Sequence, residues 1–417
     1  MVHVHGARVQ RQLEALRRFP LSELVAVAVD TGKSSAIALV ADFTGERLCP
    51  PITFDLNRDG LTQLADRVTA AIAGRPVGVV RLGVEASGYH LPLLAPGMLP
   101  ESWELVELNP AHVARQRKAN GQRGVKTDVN DATAIFDLLV AGRGSPISRT
   151  AVLDQLTAWA THRRRQVEWR RAVGNHLLSQ LHRCFPGADG CVHKLLATQV
   201  GRLVAAEFSD PSRLARLGAS RFRSFAAKRG VRVDGPKAEQ FVAAARQAIP
   251  APDAPVARVA VAADLALVGQ LEAHIDTAEA NLAQLLPATP FGVLCTAPGW
   301  KVVRAADYGA AVGDPSRWPT ARQVYRASGL PPSQHESAGR RIDGEISREG
   351  SARLRQALLQ LGRGLRQHDP AAARYAQQLD ARGKHSAVIA CAMANRANRI
   401  AFAMVRDQTP YDPDCWR

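Results

Sequence analysis

The chain of 417 residues carries 54 Lys and Arg against 38 Asp and Glu, a net charge of +16. This excess of cations attracts polyphosphate regardless of base sequence and favours a nucleic-acid partner. No uninterrupted apolar run of about 18 residues occurs, and the N-terminus lacks the apolar core of a signal peptide, so we predict a cytoplasmic protein without a membrane span. The six cysteines form no C-x-x-C pair, which fits a reducing compartment.

Residues 1–20 are a short N-terminal extension, and residues 21–142 have the pattern of one α/β unit. Apolar runs predict five strands, at 24–30, 35–42, 46–54, 79–85 and 104–108. Apolar residues at helical spacing predict one helix at 58–73, after the third strand. Three meandering strands followed by strands that alternate with helices predict an RNase H-like mixed sheet rather than a doubly wound parallel sheet.

Four acidic residues stand at the ends of these elements. Asp30 and Glu85 each close an apolar strand, whereas Asp128 and Asp131 lie three apart at the start of a predicted helix and therefore share one face. Charges at strand ends are accessible in open α/β sheets, and gathered carboxylates require cations, as in a Mg²⁺ site for phosphoryl transfer. From the residues alone, ordinary solvated acids remain the alternative, with Asp128 as a first-turn residue after the N-cap Thr127.

A basic stretch, residues 112–126, separates the last strand from this helix. It contains no acid, and its cations are Arg115, Arg117, Lys118, Arg123 and Lys126. We predict a flexible loop that contacts backbone phosphate, with a merely solvated loop as the alternative.

Residues 143–290 are predicted to be helical. Residues 161–183 hold six arginines against Glu168 alone, and five of these are predicted to bind nucleic acid: Arg163, Arg164, Arg165, Arg170 and Arg171. A second helix, about 257–286, has apolar residues near heptad spacing, so the two could form an intramolecular hairpin or a dimerising coiled coil. Four potential zinc ligands have no usual zinc spacing, which favours chance: His182, Cys184, Cys191 and His193.

Residues 291–417 are predicted to be mostly helical around a polar loop, Ser333 to Gly350. This loop contains Ser337 beside three cations, Arg340, Arg341 and Arg348, and arginines near a hydroxyl can bind a phosphate. A serine nucleophile also needs a base or a metal ion. Without that context, Ser337 is an ordinary polar turn residue.

Several motifs resemble one transposase family in order. The stretches around Asp30, Glu85-Ala86-Ser87-Gly88, Asn109-Pro110 and Thr127-Asp128 to Asp131-Ala132 resemble the RuvC-like domain of the insertion-sequence "one-ten" family, DEDD recombinases that include the Piv DNA invertases. Ala297-Pro298-Gly299, Gly329-Leu330-Pro331-Pro332, Ser337-Ala338-Gly339 and Gly344 to Gly350 resemble its second domain. The chain departs from the family at Ala338, where Gly is usual, and at Arg348 and Ser351, where Lys and Asn are frequent.

The resemblance implies a composite active site. Asp30, Glu85, Asp128 and Asp131 would hold Mg²⁺ or Mn²⁺, and Ser337 would be the nucleophile. The implied partners are donor and target DNA, a structured bridge RNA and further copies of the chain in a dimer or tetramer, with the protein bound to the prokaryotic nucleoid.

These observations favour a mobile-element recombinase that cleaves and rejoins DNA strands. Two alternatives remain open. One is a RuvC-like junction nuclease that uses metal-activated water, and the other is a non-catalytic nucleic-acid-binding relic of a transposase.

Overall fold

The computed structural model describes residues 18–86, 88–95, 97–121, 127–147, 150–337 and 340–416, with the backbone alone at 146, 334–337, 340–343 and 416. The chain divides into an N-terminal unit, residues 1–148, and a C-terminal unit, residues 149–417.

A six-stranded sheet forms the centre of the N-terminal unit. Its strands are β1 (Leu24–Thr31), β2 (Ser35–Asp42), β3 (Ile52–Asp55), β4 (Val79–Glu85), β5 (Glu104–Leu108) and β6 (Ser145–Pro146). They lie in the order β3-β2-β1-β4-β5-β6. The pairs β1–β4 and β4–β5 are parallel and the other three are antiparallel. This confirms the predicted mixed sheet, which is compatible with an RNase H-like core.

Helices bury both faces of the sheet. On one side, α1 (Arg58–Ile72) packs against the face that contains Val27, and on the other, α3 (Asp128–Val140) packs against the face that contains Ala28. Because both faces are covered, β1 is apolar at every position before Asp30. A Cβ at Gly83 would lie 2.6 Å from the Leu139 side chain, so α3 approaches β4 as closely as a glycine allows.

The basic stretch after β5 differs from its prediction as a loop. Residues Pro110–Ala119 form a helix, α2, because Pro110 occupies its first turn and the Asn109 side chain caps it by accepting a hydrogen bond from the Ala111 amide at 2.9 Å. Residues 122–126 of the predicted loop lie outside the described residues.

Two long antiparallel helices organise the C-terminal unit, α4 (Ala151–Cys184) and α9 (Ala254–Leu285). Arg163 pairs with Glu279 at 2.8 Å, and His176 with Asp264 at 2.6 Å. Residues further along α4 therefore contact residues earlier in α9, as antiparallel helices require. The structure thus shows the intramolecular hairpin of the two predicted alternatives.

Residues 254–288 have the length and apolar composition to cross a membrane. However, α9 places Asp264, Glu272 and Glu279 in ion pairs with other helices of the same unit. This arrangement indicates a helix that packs within the protein.

Four shorter helices between α4 and α9 enclose a separate core: α5 (Gln199–Glu207), α6 (Pro211–Leu217), α7 (Ala219–Ala227) and α8 (Gly235–Gln247). Cys184 and Cys191 lie inside it without a disulfide, and burial raises the pKa of both thiols. Among the described residues, no group of three His, Cys, Asp or Glu side chains could hold a metal.

The end of the chain forms the largest core, around Trp300, whose indole N–H donates to the Leu361 carbonyl at 2.8 Å. Its helices are α10 (Val302–Val312), α11 (Ala321–Ala327), α12 (Ala352–His368), α13 (Pro370–Ala381) and α14 (Ser386–Asp407). The predicted polar loop between α11 and α12 is instead largely a hairpin of β7 (Pro332–Ser337) and β8 (Arg340–Ile346).

Candidate active site

Two of the four predicted acids lie side by side at one end of the sheet. Val29 of β1 is the register partner of Val84 in the parallel strand β4, and Asp30 and Glu85 are the next residues. Adjacent strands lie about 4.8 Å apart, and register partners point to the same face. Both carboxylates therefore leave the sheet on the side that α3 covers, and both are half-buried.

The other two acids lie on α3 in different environments. Asp128 is exposed in the first turn, where the helix dipole favours a carboxylate, and the Thr127 hydroxyl caps the helix by accepting from the Asn130 amide at 3.2 Å. Asp131 is buried and accepts a hydrogen bond from the Arg117 guanidinium of α2 at 2.5 Å. Arg117 supplies Asp131 with the positive charge that the prediction assigned to a metal ion.

The described acids do not assemble into a ligand cluster. Among the described residues, no three His, Cys, Asp or Glu side chains are close enough to hold one ion. Chemically, the pair Asp30 and Glu85 fits a hard divalent cation, since carboxylate oxygens are the ligands that Mg²⁺ prefers. A ligand role for Asp131 would require it to share or release Arg117, and the four-acid metal site stays a prediction.

A contact between His90 and the half-buried Glu107, near the end of β4, was not found from the sequence. His90 follows β4 and is buried, and its Nδ1 accepts the Gly88 amide proton at 3.2 Å. Its Nε2 lies 3.2 Å from Oε1 of Glu107 on β5. The pair holds the turn that follows Glu85 against the neighbouring strand.

The backbone of Ser337 lies at the end of β7, where it pairs with Arg340 of β8. The side chains of Ser337, Arg340 and Arg341 lie outside the described part of the chain. Their predicted roles therefore stay predictions.

The base of this hairpin is closely packed. Gly329 has φ +65°, and a Cβ there would lie 2.9 Å from the backbone of Arg348. The Arg355 guanidinium donates to the Ser328 carbonyl at 3.0 Å, and the Ser351 hydroxyl caps α12. Only glycine fits at 329 without strain, so this contact determines where the hairpin leaves the helical core.

Apart from Arg117, Arg340 and Arg341, the predicted phosphate-binding cations fall into three groups. Arg163 and Arg170 contact Glu279 and Glu272 of α9, so they are part of the helical hairpin as well as being basic. The exposed cations are Arg115, Lys118, Arg164, Arg165, Arg171 and Arg348. Arg123 and Lys126 lie outside the described residues.

Arg163 also belongs to an internal charged cluster. Burial raises the pKa of the Asp307 carboxyl, and the nearby Arg163 and Arg353 oppose that rise. Burial likewise lowers the pKa of Arg353. Arg163 therefore compensates acids inside the unit, which no local sequence pattern indicates.

Two family models of known transposases match the chain, one in its N-terminal part and one in its C-terminal part. Residues 27–186 match a transposase model, DEDD_Tnp_IS110, and residues 292–377 match the transposase model of the IS116/IS110/IS902 family. Asp30, Glu85, Asp128 and Asp131 lie in the first match, and Ser337 lies in the second.

Relatives with sequence similarity come from several bacteria. A 43.6 kDa protein of insertion element IS110 from Streptomyces coelicolor is 35% identical over 32% of this chain, and the match spans only 33% of that relative. A 42 kDa protein of insertion element IS900 from Mycobacterium paratuberculosis is 23% identical over 94% of this chain and 98% of its own length. A probable family 20 transposase of Pseudomonas aeruginosa is 30% identical, over 34% of this chain and 40% of its length.

Proposed function

Because the chain belongs to the IS116/IS110/IS902 family of transposases, we propose that it cleaves and rejoins DNA strands during movement of an insertion sequence in the bacterial cytoplasm. The observation that carries this proposal is the pair Asp30 and Glu85, adjacent on one face of the sheet inside the matched region.

In the proposed reaction the Ser337 hydroxyl attacks a DNA phosphodiester. A bond forms between Oγ and phosphorus, the hydroxyl proton leaves, and the departing deoxyribose oxygen gains a proton. A hydroxyl of another strand then attacks the phosphoserine and releases Ser337. Because the covalent intermediate conserves the bond energy, no nucleotide cofactor is needed.

Asp30 and Glu85, with Asp128 and Asp131, would hold a Mg²⁺ or Mn²⁺ ion. When bound, such an ion supplies positive charge that stabilises the transferring phosphate. The acids would position that charge, and the exposed Arg348 and Arg164 could neutralise flanking phosphates.

A structured bridge RNA is the proposed guide, and further copies of the chain complete the proposed assembly. The outer face of α9 favours a second copy, because uncharged residues recur there every three or four positions: Val256, Val259, Ala263, Ala266, Gln270 and Ala273. Val256 and Val259 are each 71% exposed. Light scattering should show a smaller assembly for Val259→Lys than for the wild type.

The test of the nucleophile is a covalent adduct with DNA. Ser337→Ala should abolish strand exchange and the adduct while nucleic-acid binding persists. Ser333→Ala is the matched control, because this nearby hydroxyl donates to the Glu345 carbonyl at 3.2 Å and has no proposed part in the reaction. An adduct that maps to another residue, or DNA cleavage without any adduct, would favour the water-dependent nuclease. Binding without metal-dependent strand transfer would favour the non-catalytic relic.

A further inference from the structure

The region between α5 and α8 of the C-terminal unit is strongly basic. Residues 211–233 contain no acid and seven cations: Arg213, Arg216, Arg221, Arg223, Lys228, Arg229 and Arg232. All seven side chains are exposed. The two family matches cover residues 27–186 and 292–377, so neither includes this region.

These cations stand on a folded scaffold. Phe222 and Ala226 of α7 are buried, and Phe222 packs edge-to-face on Phe208 and Phe241 at 5.5 and 6.2 Å between ring centroids. The opposite side of α7 presents Arg221 and Lys228, seven positions apart and about 10 Å along the helix axis. The aromatic core therefore holds the outward cations in place.

Nearby acids neutralise little of this charge. Arg229 pairs with Glu207 at 3.4 Å and lies over the Phe225 ring at 3.6 Å. Arg216 and Arg223 donate to backbone carbonyls. Within the described part of the chain, the side chains of Arg213, Arg221, Lys228 and Arg232 have neither an ion pair nor a hydrogen bond.

Uncompensated like charges repel and cost stability, so an anionic partner would relieve the repulsion. The chemistry here is that of phosphate contact rather than base readout. The phenylalanines cannot stack on bases, because Phe222 is buried and Arg229 covers Phe225. Several cations without an accessible aromatic ring favour contact with backbone phosphates irrespective of sequence.

We propose that Arg213, Arg221, Lys228 and Arg232, named the tip surface, bind the phosphodiester backbone of duplex nucleic acid. This proposal rests on the proposed function only in taking nucleic acid as the partner. It adds a binding site in a part of the chain that carries no proposed catalytic residue.

The experiment compares two full-length quadruple variants of equal net charge. The first is Arg213→Gln, Arg221→Gln, Lys228→Gln and Arg232→Gln. The matched control replaces four exposed cations elsewhere in the same unit: Arg366→Gln, Arg374→Gln, Arg382→Gln and Lys384→Gln. Fluorescence anisotropy then measures binding of a random-sequence DNA duplex and of an RNA hairpin between about 50 and 200 mM salt. Thermal unfolding verifies that both variants are folded.

We expect the magnitude of the slope of log affinity against log salt concentration to fall by about 3 to 4 in the tip variant, because each lost phosphate contact contributes about 0.9 to that slope. The control should change the slope by less than about 1. A change with only one of the two probes assigns the surface to DNA or to RNA. An unchanged slope, or an equal change in both variants, overturns the proposal.

If the tip variant does not fold, the single variants Lys228→Glu and Lys384→Glu provide the same comparison. Strand exchange is measured separately. Normal nucleic-acid binding by a tip variant would overturn the tip-surface proposal without affecting the catalytic proposal. Conversely, failure to find a Ser337 adduct in the wild-type protein would overturn the proposed nucleophile but not the tip surface.

Discussion

The two candidate reactive regions are supported in different ways. Asp30 and Glu85 end neighbouring strands of a six-stranded sheet that is buried on both faces. Ser337 ends a strand of a two-stranded hairpin. The acids are therefore positioned by strand register and core packing, whereas the serine depends on the few contacts at the base of its hairpin. A change of charge should test the first region, and a change of backbone freedom should test the second.

The largest effect should come from removing a strand-end charge. Asp30→Asn keeps the shape of the side chain, so unfolding should change little, but strand exchange should fall by roughly 100-fold or more because a charge that neutralises the metal is lost. Strand exchange in vitro and thermal unfolding measure the two effects. Asp66→Asn, an exposed acid of α1, should be unaffected. Near-normal exchange by folded Asp30→Asn protein would remove Asp30 from the active site.

Stability and strand exchange should depend on the close packing at the base of the β7–β8 hairpin. Gly329→Ala places a Cβ against the Arg348 backbone at a positive φ, so we expect a loss of about 1–3 kcal/mol in unfolding free energy and weaker strand exchange. Denaturant unfolding measures the first quantity. Gly269→Ala is the control, because its Cβ would meet nothing within 4 Å inside α9. That variant should be as stable as the wild type or more stable by about 0.5–1 kcal/mol. Equal stability of both variants would contradict the proposed strain.

The sheet end should depend on His90. His90→Ala removes the contact of Nε2 with Glu107 and leaves space where a buried ring packs, so the N-terminal unit should lose about 1–3 kcal/mol in unfolding free energy. The exposed neighbour Tyr89 is the control, and Tyr89→Ala should stay within roughly 0.5 kcal/mol. Hydrogen exchange of β4 and β5 amides locates the loss. Unchanged protection there would show that His90 does not hold this end of the sheet.

The smallest effect concerns the ion pair between α5 and α9 and the pH dependence of its contribution to stability. Hydrogen bonds from Arg202, at 2.6 and 2.7 Å, lower the pKa of Glu272 below its ordinary value of 4.5. A carboxyl with a lowered folded pKa stabilises the fold above its unfolded pKa, and this contribution is lost as the pH falls through the folded value.

Glu272→Gln should therefore unfold roughly 2–4 °C below the wild type at neutral pH, since the partly exposed pair contributes about 1 kcal/mol. The difference should disappear as the pH falls below 4.5. Glu168→Gln is the control, because Glu168 contacts Arg164 only at 3.9 Å on the helix surface. A difference that persists unchanged in acid would contradict the ionic origin of the effect.

Several elements could be predicted from the sequence because they depend on local patterns. β2 has its predicted bounds, and α1 ends one residue before the prediction, since alternating or helically spaced apolar residues indicate the buried face directly. Thr127 caps α3 as predicted, because a cap involves only neighbours along the chain. The loop predicted over 112–126 was wrong for residues 112–119, because the prediction rested on charge and overlooked the helix start at Asn109-Pro110.

Tertiary structure alone decided the contacts of the charged residues. Arg117 with Asp131, His90 with Glu107 and Arg163 with Glu279 join residues from separate elements, and no spacing along the chain identifies such partners. The sequence by itself determined which side chains are ionisable and which faces are apolar, because those are properties of side chains and their period. Strand register and helix packing determined which charges meet, because a charge takes its partner from whatever the folded chain brings within a few ångströms.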